Sequence, residues 1–206
     1  MIGGPGLIRG LAAIPIVVAA IGFPPAHTKP IEENAQQFIR KLVDDAISIV
    51  KRQSEGSDQL EDRLLALLDE RFDMPVITRL VLGRHWHDAL ARQKEAFSQV
   101  FGTHIVNVLD SHFERYEDQG MMIKKVIRLN ETDIVIFTEV AHEFDPQMQV
   151  AWQVRASDDG FRAVDMTSNG ASLVRTKHSE YRSVLARDTI DSLIKRLDEL
   201  NSHDDE

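Results

Sequence analysis

The 206 residues of this chain predict an α+β fold, with helices first, then an antiparallel sheet of about four strands, and closing helices at the C-terminal end. Three observations predict it. Apolar residues recur at helical spacing from Asn34 to Phe113. After Tyr116 the composition turns to Val, Ile and Phe, and between Met148 and Val154 every even residue is apolar against Gln149, Gln153 and Arg155, the period of a strand with one buried face. Asp159-Gly160 then supplies a turn, and Phe161 to Ser168 returns as the antiparallel partner.

The opening residues stand apart from this pattern. Arg9 precedes an apolar run, Leu11 to Ile21, followed by Gly22 and the helix-breaking pair Pro24-Pro25, which is the order of an export signal. A membrane span needs ~20 apolar residues, and this run is shorter and interrupted by Pro15. Residues 1–26 are therefore expected to be a cleaved signal peptide, with the cut after Gly22 or Ala26. One domain is expected over 34–200, and an acidic disordered tail over 201–206.

Within that domain, Phe38, Leu42, Val43, Ala46, Ile49 and Val50 predict a first amphipathic helix over Asn34 to Arg52. Ser57 is a candidate N-cap for a second, Asp58 to Phe72, with Leu60, Leu64, Leu65, Leu67 and Leu68 inward. Asp73-Met74-Pro75 opens a short third helix, where Pro suits the first turn because its missing N–H would be unpaired there, and Gly83 stops it. A long helix is expected from Trp86 to Phe113, with Leu90, Phe97, Phe101, Ile105, Leu109 and Phe113 on one stripe.

Strands are expected at Met122 to Leu129 and Thr132 to Phe144, with Asn130-Glu131 in the turn between them. The unbroken run Ile134-Val135-Ile136-Phe137 predicts a central strand covered on both faces. The last helix, Asp188 to Leu200, turns Ile190, Leu193, Ile194, Leu197 and Leu200 inward, with Asp188 as its cap.

Composition excludes several chemistries. A net charge of −9 without any basic run does not suit a nucleic-acid surface. With no cysteine there is no disulfide, thiol nucleophile or zinc ribbon. His85 and His87, two apart, do not share a helix face, and His104 and His112 have no ligand set around them, so no metal site is expected. Ser172 in Gly170-Ala171-Ser172 lacks the Gly-x-Ser-x-Gly elbow, and no phosphate-binding glycine loop occurs, so no nucleotide or other cofactor is expected.

Two blocks carry a family resemblance. AVDMTSNGASLVRTKHSEYRSVL, from Ala163 to Leu185, resembles the end of the MlaC, or toluene-tolerance, family of periplasmic phospholipid-binding proteins. There a strand bears an Asp followed by an apolar residue, then a short Gly-Ala-Ser-Leu-like link and an amphipathic helix. Asp73 to Trp86, ending in Leu82-Gly83 with a basic residue and aromatics, and Gln93-Lys94-Glu95-Ala96-Phe97 are similar to two earlier segments of that family, and the order is kept from Asn34 to Leu200. The chain departs from the pattern at His87-Asp88-Ala89-Leu90-Ala91 and from Phe113 to Gly120. The Asp73 to Trp86 segment is also similar to a hopanoid-associated branch.

The resemblance implies an NTF2-like or cystatin-like cone, helices over one face of a curved sheet, with an apolar cavity. It implies a periplasmic carrier, not an enzyme, that shuttles a phospholipid or hopanoid-like lipid between an inner-membrane ABC transporter complex and an outer-membrane lipoprotein complex. On that reading Met148, Val150, Trp152 and Val154 form one wall of the cavity, joined by Val164 and Met166 from the partner strand and Phe97 and Phe101 from the long helix. The same eight residues equally suit a solid core. One rival is a small enzyme on the same fold using Asp165 with a His such as His142 as an acid/base pair; Asp165 is opposite in phase to Val164 and Met166, which favours a strut at the strand end. Another is a non-catalytic adaptor that binds protein alone.

Overall fold

The computed structural model describes residues 31–51, 57–113, 121–140 and 148–203. The expected signal peptide, His142, the segment entering the sheet and the last three residues lie outside the described residues. In chain order the elements are α1 (Ile31–Val50), α2 (Ser57–Arg71), α3 (Met74–Leu82), α4 (His85–Asp88), α5 (Ala91–Phe113), β1 (Met121–Arg128), β2 (Asp133–Val140), β3 (Met148–Ser157), β4 (Gly160–Ser168), β5 (Ala171–Ser172), α6 (Leu173–Leu185) and α7 (Ile190–His203).

Alternation in the strands and 3.6-residue stripes in the helices drive one layer onto the other. The sheet is antiparallel throughout, in the order β1-β2-β3-β4-β5, and curved without closing. Its fifth strand, two residues long, is one more than the pattern of alternation predicts. Helix α1 buries Ala35, Ile39, Leu42, Val43, Ala46 and Val50, positions that share one helical face, and lies against β1, β2 and β3. The C-terminal end of α2 is tied to β4. Phe72 forms a parallel bridge with Ala163, the Asp73 N–H donates to the Ala163 carbonyl at 2.9 Å, and Arg162 Nη1 donates to the last-turn carbonyls of Asp69 and Glu70 at 2.9 and 3.0 Å. These carbonyls have no partner within their own helix, and the guanidinium satisfies them.

The carboxylate of Asp73 caps α3 by accepting from the Val76 N–H, with Pro75 in the first turn as expected. Gly83 ends α3 at φ +55°, and a Cβ built there would lie 2.5 Å from Cε1 of His178, whose Nδ1 lies 3.1 Å from the Val81 carbonyl oxygen. Only glycine combines that backbone angle with so close an approach of α6.

Several expectations are corrected. The long helix from Trp86 is broken: α4 stops at Asp88, Ala89 is extended (ψ 136°), and α5 starts afresh at Ala91. The Gln93 side chain reaches back to accept from the Leu90 N–H at 2.9 Å, a half capping box, and Leu90 is 54% exposed instead of lying on the buried stripe. Strand β2 is covered on one face only: Ile134 and Ile136 are fully buried, whereas Phe137 is 37% exposed beneath the Lys125 ammonium. At α7 the hydroxyl of Thr189, not the carboxylate of Asp188, accepts from the first-turn N–H of Ser192, while Asp188 accepts from Thr189 N. That helix continues past Leu200, with Asn201 buried and donating to the Val100 carbonyl.

The β1–β2 turn falls where Asn130-Glu131 predicts it. Asn130 Oδ1 accepts from the N–H groups of Thr132 and Asp133, and the Asp133 carboxylate receives Arg155 at 2.9 Å. Burial alone would push Asp133 up, but hydrogen bonds from Arg155, Asn130 and Thr132 and the guanidinium charge together hold it below the ordinary carboxylate value.

Candidate functional site

Three cross-strand rows build the inner face of the sheet. Ile134, Val154 and Ala163 form one row; Ile136, Trp152 and Met166 the next; Thr138, Val150 and Ser168 the third. The rows stay in phase through a bulge in β4, because Gln153 pairs with Asp165 and Val154 with Ala163, leaving Val164 as the extra residue. Ala163 thus takes the place opposite Val154, and Val164 is buried beside it.

Trp152 is fixed by hydrogen bonding as well as by packing. Its indole N–H donates to Thr138 Oγ1 at 3.1 Å, and that hydroxyl donates to the Val150 carbonyl at 3.0 Å. Thr138 and Trp152 are both buried, so each polar group depends on this relay for its partner.

Between this face and the helices lies a pocket lined by carbon-rich side chains. Leu42 and Ala46 enter from α1; Leu64, Leu67 and Leu68 from α2; Phe72 follows α2; Val106 enters from α5; Trp152 and Met166 close it from the sheet. Its free volume is about 30 Å³. An apolar cavity of ~150 Å³ holds one benzene-sized guest, so the pocket is nearly shut.

Of the eight residues expected to line a cavity, Trp152 and Met166 border this pocket. Val150 and Val154 are buried in the rows beside it, and Met148 is half-buried at the start of β3. Phe97 and Phe101 lie elsewhere in the core. They stack on each other at 5.4 Å, and Tyr181 of α6 meets both edge-on at 5.9 and 6.1 Å. The Tyr181 hydroxyl is buried and among the described residues has no hydrogen-bond partner, and burial, aided by the charge of Glu180, pushes its ionisation well above the ordinary phenol value. On α5 it is Val106 that reaches the pocket. The contributions of Leu42, Ala46, Leu64 and Leu68 were missed because their helical periodicity signals burial without saying whether the neighbour is a side chain or a gap.

Asp165 lies on the opposite side of β4. It accepts from the Ser172 hydroxyl, from its neighbour Met166 N and from Val174 N at 3.1 Å, so it ties the strand to the first turn of α6. Ser172 itself is the N-cap of α6, accepting from Arg175 N. Among the described residues no group of three or more His, Asp or Glu could hold a metal ion, and no helix is long and apolar enough to cross a membrane.

Sheet, helices and pocket define the class: an α+β scaffold in which helices cover one face of a curved, unclosed antiparallel sheet. The family model described as MlaC protein matches residues 40–199, and the chain belongs to that family. Among solved structures it is similar to the phospholipid-binding protein of Ralstonia solanacearum, determined in complex with a phospholipid. The two share 22% identity at a TM-score of 0.72, over 84% of this chain and 99% of that one.

Proposed function

We propose that this protein is a non-catalytic lipid carrier that holds acyl chains between its sheet and its helices. The observation that carries the proposal is the pocket, walled by aliphatic and aromatic side chains around Trp152 and Met166, in a chain that belongs to the MlaC family. The phospholipid held by the similar Ralstonia protein supports the same ligand class. On this reading the nearly closed pocket widens to take its ligand. As α1 and α2 move off the sheet, the inner faces of Met148, Val150, Val154 and Val164 join the lining, and Phe97 and Phe101 form its floor.

Two acyl chains of about thirty methylenes in all carry on the order of 20–25 kcal/mol relative to water, at ~0.8 kcal/mol each. The carrier does not have to exceed that figure, because a bilayer offers nearly the same. It need only approach the membrane's hold and let a partner shift the balance. A small pocket that expands on loading satisfies this requirement, since the helices close over the apolar lining whenever the lipid leaves. On this reading residues 1–26 are removed on export, 34–200 is the lipid-binding domain, and the protein works in the periplasm, carrying lipid between an inner-membrane ABC transporter complex and an outer-membrane lipoprotein complex; membership of the MlaC family supports the lipid-carrying role.

The rival enzymatic reading through Asp165 is disfavoured by that carboxylate's two hydrogen bonds to the β4–α6 junction, from Ser172 and Val174 N. The proposal is tested by purifying the mature protein from its native envelope, extracting it with organic solvent and identifying what is released by mass spectrometry. Stoichiometric lipid is expected. Protein that is free of lipid and also takes none from vesicles would refute the proposal.

A further inference from the structure

A second cavity, of about 210 Å³, opens between α5, β4 and the start of α6. Ile105, Leu173 and Met166 line its apolar part, and Ser168, Thr176 and Lys177 supply the polar groups. Met166 borders this cavity and the inner pocket alike, so one flexible side chain lines both spaces.

Lys177 is unusually placed for a surface-helix lysine. Its side chain is 16% exposed, and Nζ lies 3.1 Å from Nε2 of the buried His104 and 3.0 Å from a carboxylate oxygen of Glu180, which is half exposed. An ammonium donates and cannot accept, so His104 Nε2 is the acceptor. Two of the three ammonium protons are thereby used, and among the described residues the third has no further acceptor. An ion pair with an exposed partner contributes little stability, while withdrawing an ammonium from water costs free energy. A fixed cation lining a largely apolar cavity therefore suits a ligand with an anionic group at one end and hydrocarbon at the other.

We propose that Lys177, oriented by His104, binds the phosphodiester of a glycerophospholipid whose chains pass Met166 into the pocket around Trp152. Glu180 gives way to the phosphate and turns to solvent. The inference rests on the lipid-carrier reading and deepens it.

The test compares dioleoyl phosphatidylglycerol with dioleoylglycerol, which has the same chains and no phosphate, each presented to delipidated protein in neutral detergent micelles. Lys177→Gln is expected to weaken phosphatidylglycerol about tenfold or more, the scale of a lost charge-assisted hydrogen bond, and to leave dioleoylglycerol unchanged. Lys177→Arg should restore most of the loss. A footprint on the wild-type chain needs no variant: phosphatidylglycerol should shield Lys177 from an amine-acetylating reagent, and dioleoylglycerol should not. Equal effects on the two lipids, or no effect on either, would overturn the phosphate assignment and leave lipid carriage standing. Equal shielding by inorganic phosphate would make this a free-phosphate site and overturn it too. If the wild type bound neither lipid, the carrier reading would fall with it.

Discussion

Replacing Thr138 with valine isolates the hydrogen-bond relay that holds the central aromatic of the sheet wall. The two side chains have nearly the same shape, so Thr138→Val opens no cavity. It removes the acceptor 3.1 Å from the Trp152 indole N–H and the donor 3.0 Å from the Val150 carbonyl. Trp152 is 4% exposed, so water does not replace the lost partner. A buried unsatisfied donor costs ~1–3 kcal/mol, and in a chain of this size each kcal/mol moves Tm by about 2–4 °C, so Tm should fall by ~2–12 °C. Urea unfolding followed by far-ultraviolet circular dichroism gives the free energy. A cycle with Trp152→Phe assigns it, because once the N–H is gone Thr138→Val should cost far less. Unchanged stability in Thr138→Val, or strict additivity with Trp152→Phe, would refute the relay as the device that positions Trp152.

Other substitutions probe separate parts of the account. Gly83→Ala should destabilise by ~2–3 kcal/mol in urea unfolding, since it adds left-handed backbone strain and a Cβ 2.5 Å from the His178 ring where α6 packs on α3. Tyr181→Phe removes a buried hydroxyl that has no partner and should leave stability at neutral pH equal or raised. The same change should reduce the loss of stability on the alkaline side. The phenol's folded value is raised above its unfolded value of about 10, so its contribution is complete below pH 10 and is lost as pH rises further, when the unfolded chain releases the proton and the folded one retains it. A pH series of urea midpoints for the two proteins measures the difference. Ala46→Leu pushes three carbons into the pocket. Burying them gains ~2.4 kcal/mol, and overpacking a space of about 30 Å³ costs ~1–3 kcal/mol. Stability should therefore change by no more than about 1.4 kcal/mol, while lipid uptake from vesicles drops.

How legible these features are in the sequence depends on whether a local rule governs them. Met148 to Val154 could be read because a strand with one wet face must alternate, and the observed burial of Val150, Trp152 and Val154 follows that phase. The same alternation places Asp165 away from the inner face, and on that other side its bonds to Ser172 and Val174 N account for it. Beyond the bulge alternation no longer fixes which way a side chain faces. Ala163-Val164-Asp165-Met166 contains no glycine to announce an extra residue, and the bulge moves Ala163 to the row with Val154. The break before α5 was hidden for a related reason, since its cap comes from Gln93 alone and Leu90 offers no hydroxyl or carboxylate to complete the usual signature. The run Ile134 to Phe137 reads as doubly covered because apolar composition does not reveal that Phe137 is shaded by the stem and ammonium of Lys125. The pocket itself is a property of how α1, α2 and β3 meet, which no single periodicity encodes.

The central claim is that acyl chains lie against Trp152 in a pocket that opens from the nearly closed state. Trp86 and Trp152 are the two tryptophans of the chain. In a Trp86→Phe background the fluorescence of Trp152 therefore reports on that wall alone. Loading this protein with a phospholipid whose acyl chains carry bromine, a contact quencher, should strongly reduce the emission, while the unbrominated lipid should not. Bound brominated lipid that leaves Trp152 unquenched would contradict the account.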